Sequence, residues 1–172
     1  MMYTSPWEHI VLDNFFDKNS FFLMKKELNT YLKTAKITNS LTCIEDFSKF
    51  PNTYDCISKN ANTYSTFLKS FSCVRPYEQL SIRHQILICL GKFAYRIHDE
   101  SESKILSIVT YVASNNGRGT RLYNSNKELV KEIEWKENSA TIFAGITNKT
   151  WHDYYSEQGS YRITVNTFLE SK

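Results

Sequence analysis

All five glycines of this 172-residue chain, Gly91, Gly117, Gly119, Gly145 and Gly159, fall in its second half. Between them run segments rich in Ile, Val, Thr, Phe and Tyr. Such side chains suit a pleated sheet, while glycine supplies the backbone freedom that turns require. This is the punctuation of an antiparallel sheet. It predicts strands near 80–90, 92–98, 104–113, 119–124, 129–135, 139–144, 149–155 and 160–168, with turns at Asn115-Asn116-Gly117 and Glu137-Asn138.

The first half reads differently. Trp7 to Phe16 has the pattern of a short strand, with His9, Val11 and Asn14 interleaved among Ile10, Leu12 and Phe15. Asp17 is placed to cap a helix, and Phe21, Met24, Leu28 and Tyr31 or Leu32 follow at helical spacing. A helix from about Lys18 to Leu32 is expected, with Lys25, Lys26 and Lys33 on its solvated face. Thr34 to Asn62 is polar, interrupted by Pro51 and weakly periodic. It predicts a long connection, bordering a pocket mouth and more mobile than the strands. A second helix is expected from about Thr63, with Tyr64, Phe67, Leu68 and Phe71 as its stripe. Two helices followed by about eight short strands predict an α+β chain. The expected architecture is a double-sheet jelly roll, or double-stranded β-helix, with N-terminal helices buttressing one sheet. No repeat or linker divides the chain, so residues 1–172 are expected to form one domain.

Apolar residues make up 41% of the chain and aromatics 15%, enough for a core without disulfide or metal staples. The longest apolar run, Gln85 to Leu90, is too short to span a bilayer, and no basic-then-apolar leader opens the sequence. A cytoplasmic protein that engages no membrane is expected. The four cysteines, Cys43, Cys56, Cys73 and Cys89, contain no CxxC pair and are expected as reduced thiols. The net charge of +3 comes from dispersed Lys and Arg, so nucleic acid is not an expected partner.

The residues with chemistry to offer lie late in the chain. In His98-Asp99-Glu100, at a strand end, residues i and i+2 share a side, so His98 and Glu100 face one way and Asp99 the other. His152, in Thr150-Trp151-His152, can complete a metal site with them. Two histidines and one carboxylate with open positions are the facial set of non-haem Fe(II) oxygenases. His9 and His84 have no matching partners and read as structural. In Ser160-Tyr161-Arg162-Ile163-Thr164-Val165-Asn166 the apolar residues alternate with polar ones, and that alternation has two meanings. It describes a strand with one face in water, or it puts Arg162 and Thr164 inside a barrel mouth. There a guanidinium fork and a hydroxyl would hold the far carboxylate of a small dicarboxylic acid.

Taken in chain order, His98-x-Glu100, the distant His152 and then Arg162-x-Thr164 resemble the Fe(II)- and 2-oxoglutarate-dependent dioxygenases. In that family a His-x-Asp/Glu pair and a distal His bind iron, and an Arg-x-Ser/Thr about one strand later binds the co-substrate. Finer features are similar to small, prolyl-hydroxylase-like members, including phage-type ones. Ser103-Lys104-Ile105-Leu106-Ser107 leads into Val109-Thr110-Tyr111, and Gly119-Thr120-Arg121-Leu122-Tyr123 looks like the family's Gly-Thr strand. Glu134-Trp135-Lys136-Glu137-Asn138 precedes Ala140-Thr141-Ile142-Phe143, and Trp7 to Phe15 looks like the introductory strand of many members. The resemblance is strongest over 79–168 and weak over 34–75.

The resemblance implies Fe(II) on His98, Glu100 and His152, and 2-oxoglutarate with its tail on Arg162, Thr164 and Tyr111. With O2, and with ascorbate as a stimulant, such an enzyme converts 2-oxoglutarate to succinate while hydroxylating a C–H bond. The substrate would be a protein, peptide or small molecule, prolyl residues among the candidates. The family's usual carboxylate is Asp, and Glu100 departs from it, with Asp99 as the alternative ligand. Two other functions stay open: demethylation of alkylated nucleic-acid bases by the same chemistry, and a cupin-like domain that binds another metal or does no catalysis. The demethylase would want a basic groove with stacking aromatics, and the extra histidines usual in cupins are missing here.

Overall fold

Eleven strands and three α-helices follow one another in the computed structural model, which describes residues 1–115 and 117–172; Asn116, in the middle of one expected turn, lies outside the described residues. The strands are β1 (Met2–Tyr3), β2 (His9–Leu12), β3 (Leu41–Ile44), β4 (Leu80–Leu90), β5 (Phe93–Ala94), β6 (Lys104–Ser114), β7 (Arg118–Tyr123), β8 (Leu129–Glu134), β9 (Ala140–Ala144), β10 (His152–Ser156) and β11 (Tyr161–Ser171). They form two antiparallel sheets, ordered β1-β2-β9-β6-β11-β4-β3 and β5-β10-β7-β8, in a jelly-roll-like arrangement. The helices are α1 (Lys18–Thr34), α2 (Pro51–Ser58) and α3 (Ala61–Tyr64), the last tightening into a 3-10 segment over Ser65–Ser70. None is long and apolar enough to cross a membrane.

The helices cover the outer face of the larger sheet. Phe21, Met24 and Leu28 of α1, with Cys56 and Ile57 of α2, pack on Ile86, Ile88, Val112, Ile163 and Val165. Tyr64, Leu68 and Phe71 do the same further along, against Ile105, Ile108, Ile142 and Leu169. Asp17 caps α1 as expected, its carboxylate accepting from the Asn19 and Ser20 amides. A third cluster, with Trp7, Val109, Leu122, Ile133 and Phe143, fills part of the space between the sheets.

Two expectations need correction. The stretch 34–62 is not a plain connection at a pocket mouth. It holds β3, paired with β4, and α2, whose Thr53, Cys56 and Ile57 are fully buried on the helical side. Glu27 of α1 ties α2 down by accepting from the Thr53 amide and hydroxyl. Pro51 starts this helix rather than interrupting a loop, since the first helical turn has no use for the missing N–H. The stretch approaches the cleft through β3, where Leu41 packs on Leu87, Cys89 and Tyr154 and Cys43 bonds Gln85. The second correction concerns the strand expected over 92–98. It shrinks to β5, and sheet pairing resumes as a single bridge between His98 and His152.

The Glu137-Asn138 turn is where the helical layer is fastened to the sheet. Asn138 has φ +59°, a left-handed conformation that Asn tolerates better than most residues. Its buried side chain accepts from the Phe16 amide (3.0 Å) and donates to the Phe16 carbonyl (2.9 Å). Both Phe16 groups lose their partner if that amide is removed. Asn138→Ala should therefore lower unfolding free energy by about 1–3 kcal/mol, read from urea unfolding. Asn138→Gly, which removes the backbone strain but not the loss of the hydrogen bonds, should recover only part.

Candidate active site

Between the two sheets lies a cleft with about 490 Å³ of space, part of it open to solvent. Its walls include His98, Glu100, His152, Arg162 and Asn166. At one end His98, Glu100 and His152 bring one ligand atom each to within 4.8 Å of one another. His152 opens β10, and His98 is locked beside it by two backbone hydrogen bonds of 3.0 and 2.8 Å. Each imidazole is then oriented by its own backbone. His98 Nδ1 lies 3.0 Å from the Arg96 carbonyl, and His152 Nδ1 lies 2.9 Å from the Thr150 carbonyl. A carbonyl only accepts, so in each neutral ring Nδ1 carries the proton and Nε2 keeps a free lone pair, the form a metal requires.

Glu100 completes the cluster. His152 Nε2 stands 3.8 Å from its Oε1, which also accepts from the Ser107 hydroxyl, while Lys104 Nζ donates to Oε2 at 2.7 Å. Burial by itself raises the Glu100 pKa. The neighbouring His152, the Lys104 ammonium and the bonds from Lys104 and Ser107 more than offset it, holding the carboxyl below its usual range. Burial pushes His98 down to about 4, with nearby His152 adding to the effect, so His98 is an uncharged donor at neutral pH. Asp99 lies apart from the cluster, its carboxylate accepting from the Asn148 amide at 2.6 Å. His9 and His84 are bonded elsewhere, to Trp7 and Lys131 and to Thr167 respectively.

The other end of the cleft is built on β11. Arg162 is 2% exposed, with its guanidinium carbon 4.6 Å from the Tyr154 ring centroid and 5.5 Å from that of Trp135. Its Nε and Nη2 are buried without a hydrogen-bond partner, as are Thr164 Oγ1 and Asn166 Oδ1 on the same strand face. A buried guanidinium with unused donors is costly unless an anion meets it. The donor set therefore fits a carboxylate. Tyr111, expected beside that carboxylate, lies deeper. Its hydroxyl is engaged with Thr120 Oγ1 (2.9 Å), Thr141 Oγ1 (3.0 Å) and the Thr120 amide (3.2 Å), and its ring centroid is 5.9 Å from the Arg162 guanidinium carbon.

Several neighbours carried no role in the sequence reading. Asn166 follows Thr164 at the same two-residue period, so strand alternation alone could have found it. Ser107, a polar residue in the apolar run of β6, carried a comparable signal. Lys104, Tyr95 and Tyr154 carried none, because ordinary surface and core residues look the same in sequence.

No family model matches the chain, and no curated protein matches it in sequence. Solved structures do match in fold. One is a viral collagen prolyl hydroxylase from Paramecium bursaria Chlorella virus-1, determined as a 2-oxoglutarate complex, with TM-score 0.67 at 15% identity over 95% of this chain and 96% of that one. A Trichoplax adhaerens prolyl hydroxylase in complex with a hypoxia inducible factor peptide gives 0.69 at 11%, over 95% and 83%. A Pseudomonas putida prolyl-4-hydroxylase gives 0.66 at 11%, over 95% and 92%. At these identities what is shared is the fold.

The cluster makes a direct prediction. His152→Ala and Glu100→Ala should each abolish tight binding of Mn(II) or Co(II) in calorimetric titrations, whereas Asp99→Ala should bind as the parent does. Loss on Asp99→Ala with retention on Glu100→Ala would reverse the carboxylate assignment.

Proposed function

We propose that residues 1–172 form a single Fe(II)- and 2-oxoglutarate-dependent oxygenase domain that hydroxylates a C–H bond. A protein or peptide is the substrate favoured, with prolyl residues first among the targets. The observation that carries this is the buried, unpartnered Arg162 fork in the same cleft as a two-histidine, one-carboxylate cluster. A generic metal barrel has no need of such a cation. The strand order supports reading the paired sheets as a double-stranded β-helix. Likeness to prolyl hydroxylases solved with 2-oxoglutarate and with a peptide supports the co-substrate and the substrate class. The cytoplasm is the compartment that belongs to this reading.

In this proposal His98, Glu100 and His152 would hold Fe(II). When bound, iron with O2 supplies the oxidising chemistry by which 2-oxoglutarate becomes succinate and a substrate C–H becomes C–OH. The residues of the chain bind and orient. Arg162 offers Nε and Nη2 as a fork to the far carboxylate, and the Thr164 hydroxyl adds a third donor. Tyr154 and Trp135 wall the guanidinium and keep water from competing for it. Tyr111 lies behind the pocket wall, and its hydroxyl would reach the co-substrate only by exchanging a threonine bond.

Succinate formation from 2-oxoglutarate, with Fe(II) and ascorbate and no added substrate, tests the reaction class. Absence of any uncoupled turnover in metal-loaded protein would count against it. Arg162→Ala should weaken 2-oxoglutarate binding by about ten- to a hundred-fold, from roughly 1.5–3 kcal/mol for a hydrogen bond to a charged group. Arg162→Lys should restore only part, since it keeps the charge without the fork. Metal affinity should hardly change in either variant. Equal 2-oxoglutarate affinity in all three proteins would remove Arg162 from the site.

A further inference from the structure

Glu100 is one methylene longer than the aspartate usual at its position, so its carboxylate has one more torsion to fix. The structure fixes it from both sides. Ser107 holds Oε1, the oxygen nearer His152, and Lys104 holds Oε2 at 2.7 Å. Lys104 is itself restrained, its ammonium 3.9 Å above the centroid of the Phe168 ring and its side chain only 18% exposed. Phe168 in turn sits directly across from Ser107 in the β11–β6 pairing. Gly145 closes the arrangement from behind. A Cβ there would stand 2.3 Å from the Lys104 carbonyl and 3.1 Å from Glu100 Cβ, so only glycine lets these backbones approach.

We infer that Lys104 is a positioning residue that holds Glu100 as a one-oxygen ligand, occupying Oε2 so that Oε1 is presented to the two imidazoles. This rests on the metal site proposed above. The sign of its effect separates it from a simple surface charge. An ammonium near a divalent cation repels it, so a lysine acting only through its charge would weaken metal binding, and its removal would tighten it. A lysine that orients the ligand does the reverse.

The test is titration of the full chain with Co(II), followed by calorimetry and by the visible absorption of the bound ion, which reports ligand geometry. Lys104→Met, which keeps the stem over Phe168, should weaken affinity about 10- to 100-fold and shift the spectrum, the usual cost of losing a group that orients a ligand. Lys104→Ala should behave alike should the methionine variant fold poorly, and Lys104→Arg should return most of the affinity and the parent spectrum. Unchanged or tighter binding in folded Lys104→Met or Lys104→Ala overturns the inference while leaving the metal site standing. Parent protein that binds no Co(II), or binds it equally after His152→Ala, overturns the metal site and this inference with it.

Discussion

The site depends on one strand serving two environments at once. β11 is paired along its whole length with β4 and along most of it with β6, so neither edge is free to adjust. Ile163 and Val165 go to the helix-covered face, while Arg162, Asn166 and Phe168 go to the cleft. A slip of one residue would exchange these sets, burying a guanidinium among the helices and putting isoleucine where the anion is expected. The apolar contacts to Met24, Leu28 and Ile57 thus hold the register that aims Arg162. Packing on one side of the sheet sets the chemistry on the other.

A bulge makes that arrangement possible. Between Ile163 and Thr164 the β11–β6 register shifts, leaving β6 with one extra residue. Val112 and Ala113 consequently both join the helix-facing core. Tyr111 is then brought opposite Thr164, with its ring beside Arg162 and its hydroxyl among Thr120 and Thr141. Bulges bend a strand and redirect side chains locally, and here the redirected residue is part of the guanidinium's wall. Continued without a bulge from the Ile163–Ala113 pair, the strand would set Tyr111 opposite Val165, on the helix-covered face.

Much of this was legible in the sequence. Glycine punctuation and β-branched runs predicted seven of the strands to within a few residues, because turns and pleats impose local chemistry. Strand parity set Glu100 on the side of His98 and Asp99 on the other; the strand itself fades before reaching them, and the structure has Glu100 beside His152 while Asp99 accepts from the Asn148 amide. What failed was non-local. α2 is too short for an apolar period to emerge, and its place in the core depends on Glu27, about twenty-five residues away. The two meanings of the Arg162 strand differ only in what faces it, which no window along the chain contains. Lys104 falls inside a stretch that resembles the family but has no role assigned by it, since its bond to Glu100 needs a turn that sequence does not draw.

The cleft also shows why its two ends must be considered together. The charges of Glu100 and Lys104 nearly cancel at the histidine end, whereas Arg162 Nε and Nη2 at the other have no hydrogen-bond partner. A dianion spanning the cleft would meet the guanidinium with one carboxylate and a divalent cation with the other, so each end's cost is relieved by the same ligand. Free energy gained in that way belongs to the folded state alone and stabilises it by mass action. The His98–Glu100–His152 end is anchored by β10 of the small sheet together with Ser107 of β6, and the Arg162 end by β11 of the large sheet. Their separation is therefore set by how the two sheets lie against each other. Gly119 constrains this from the small sheet, since a Cβ there would fall 1.8 Å from the Ile133 carbonyl and push β7 from β8. β7 carries Thr120 into the cleft wall and Leu122 into the core between the sheets. Spacing between the Arg162 cation and the cluster is accordingly a property of the sheet stack, to which residues that touch neither, such as Gly119 and Leu122, contribute.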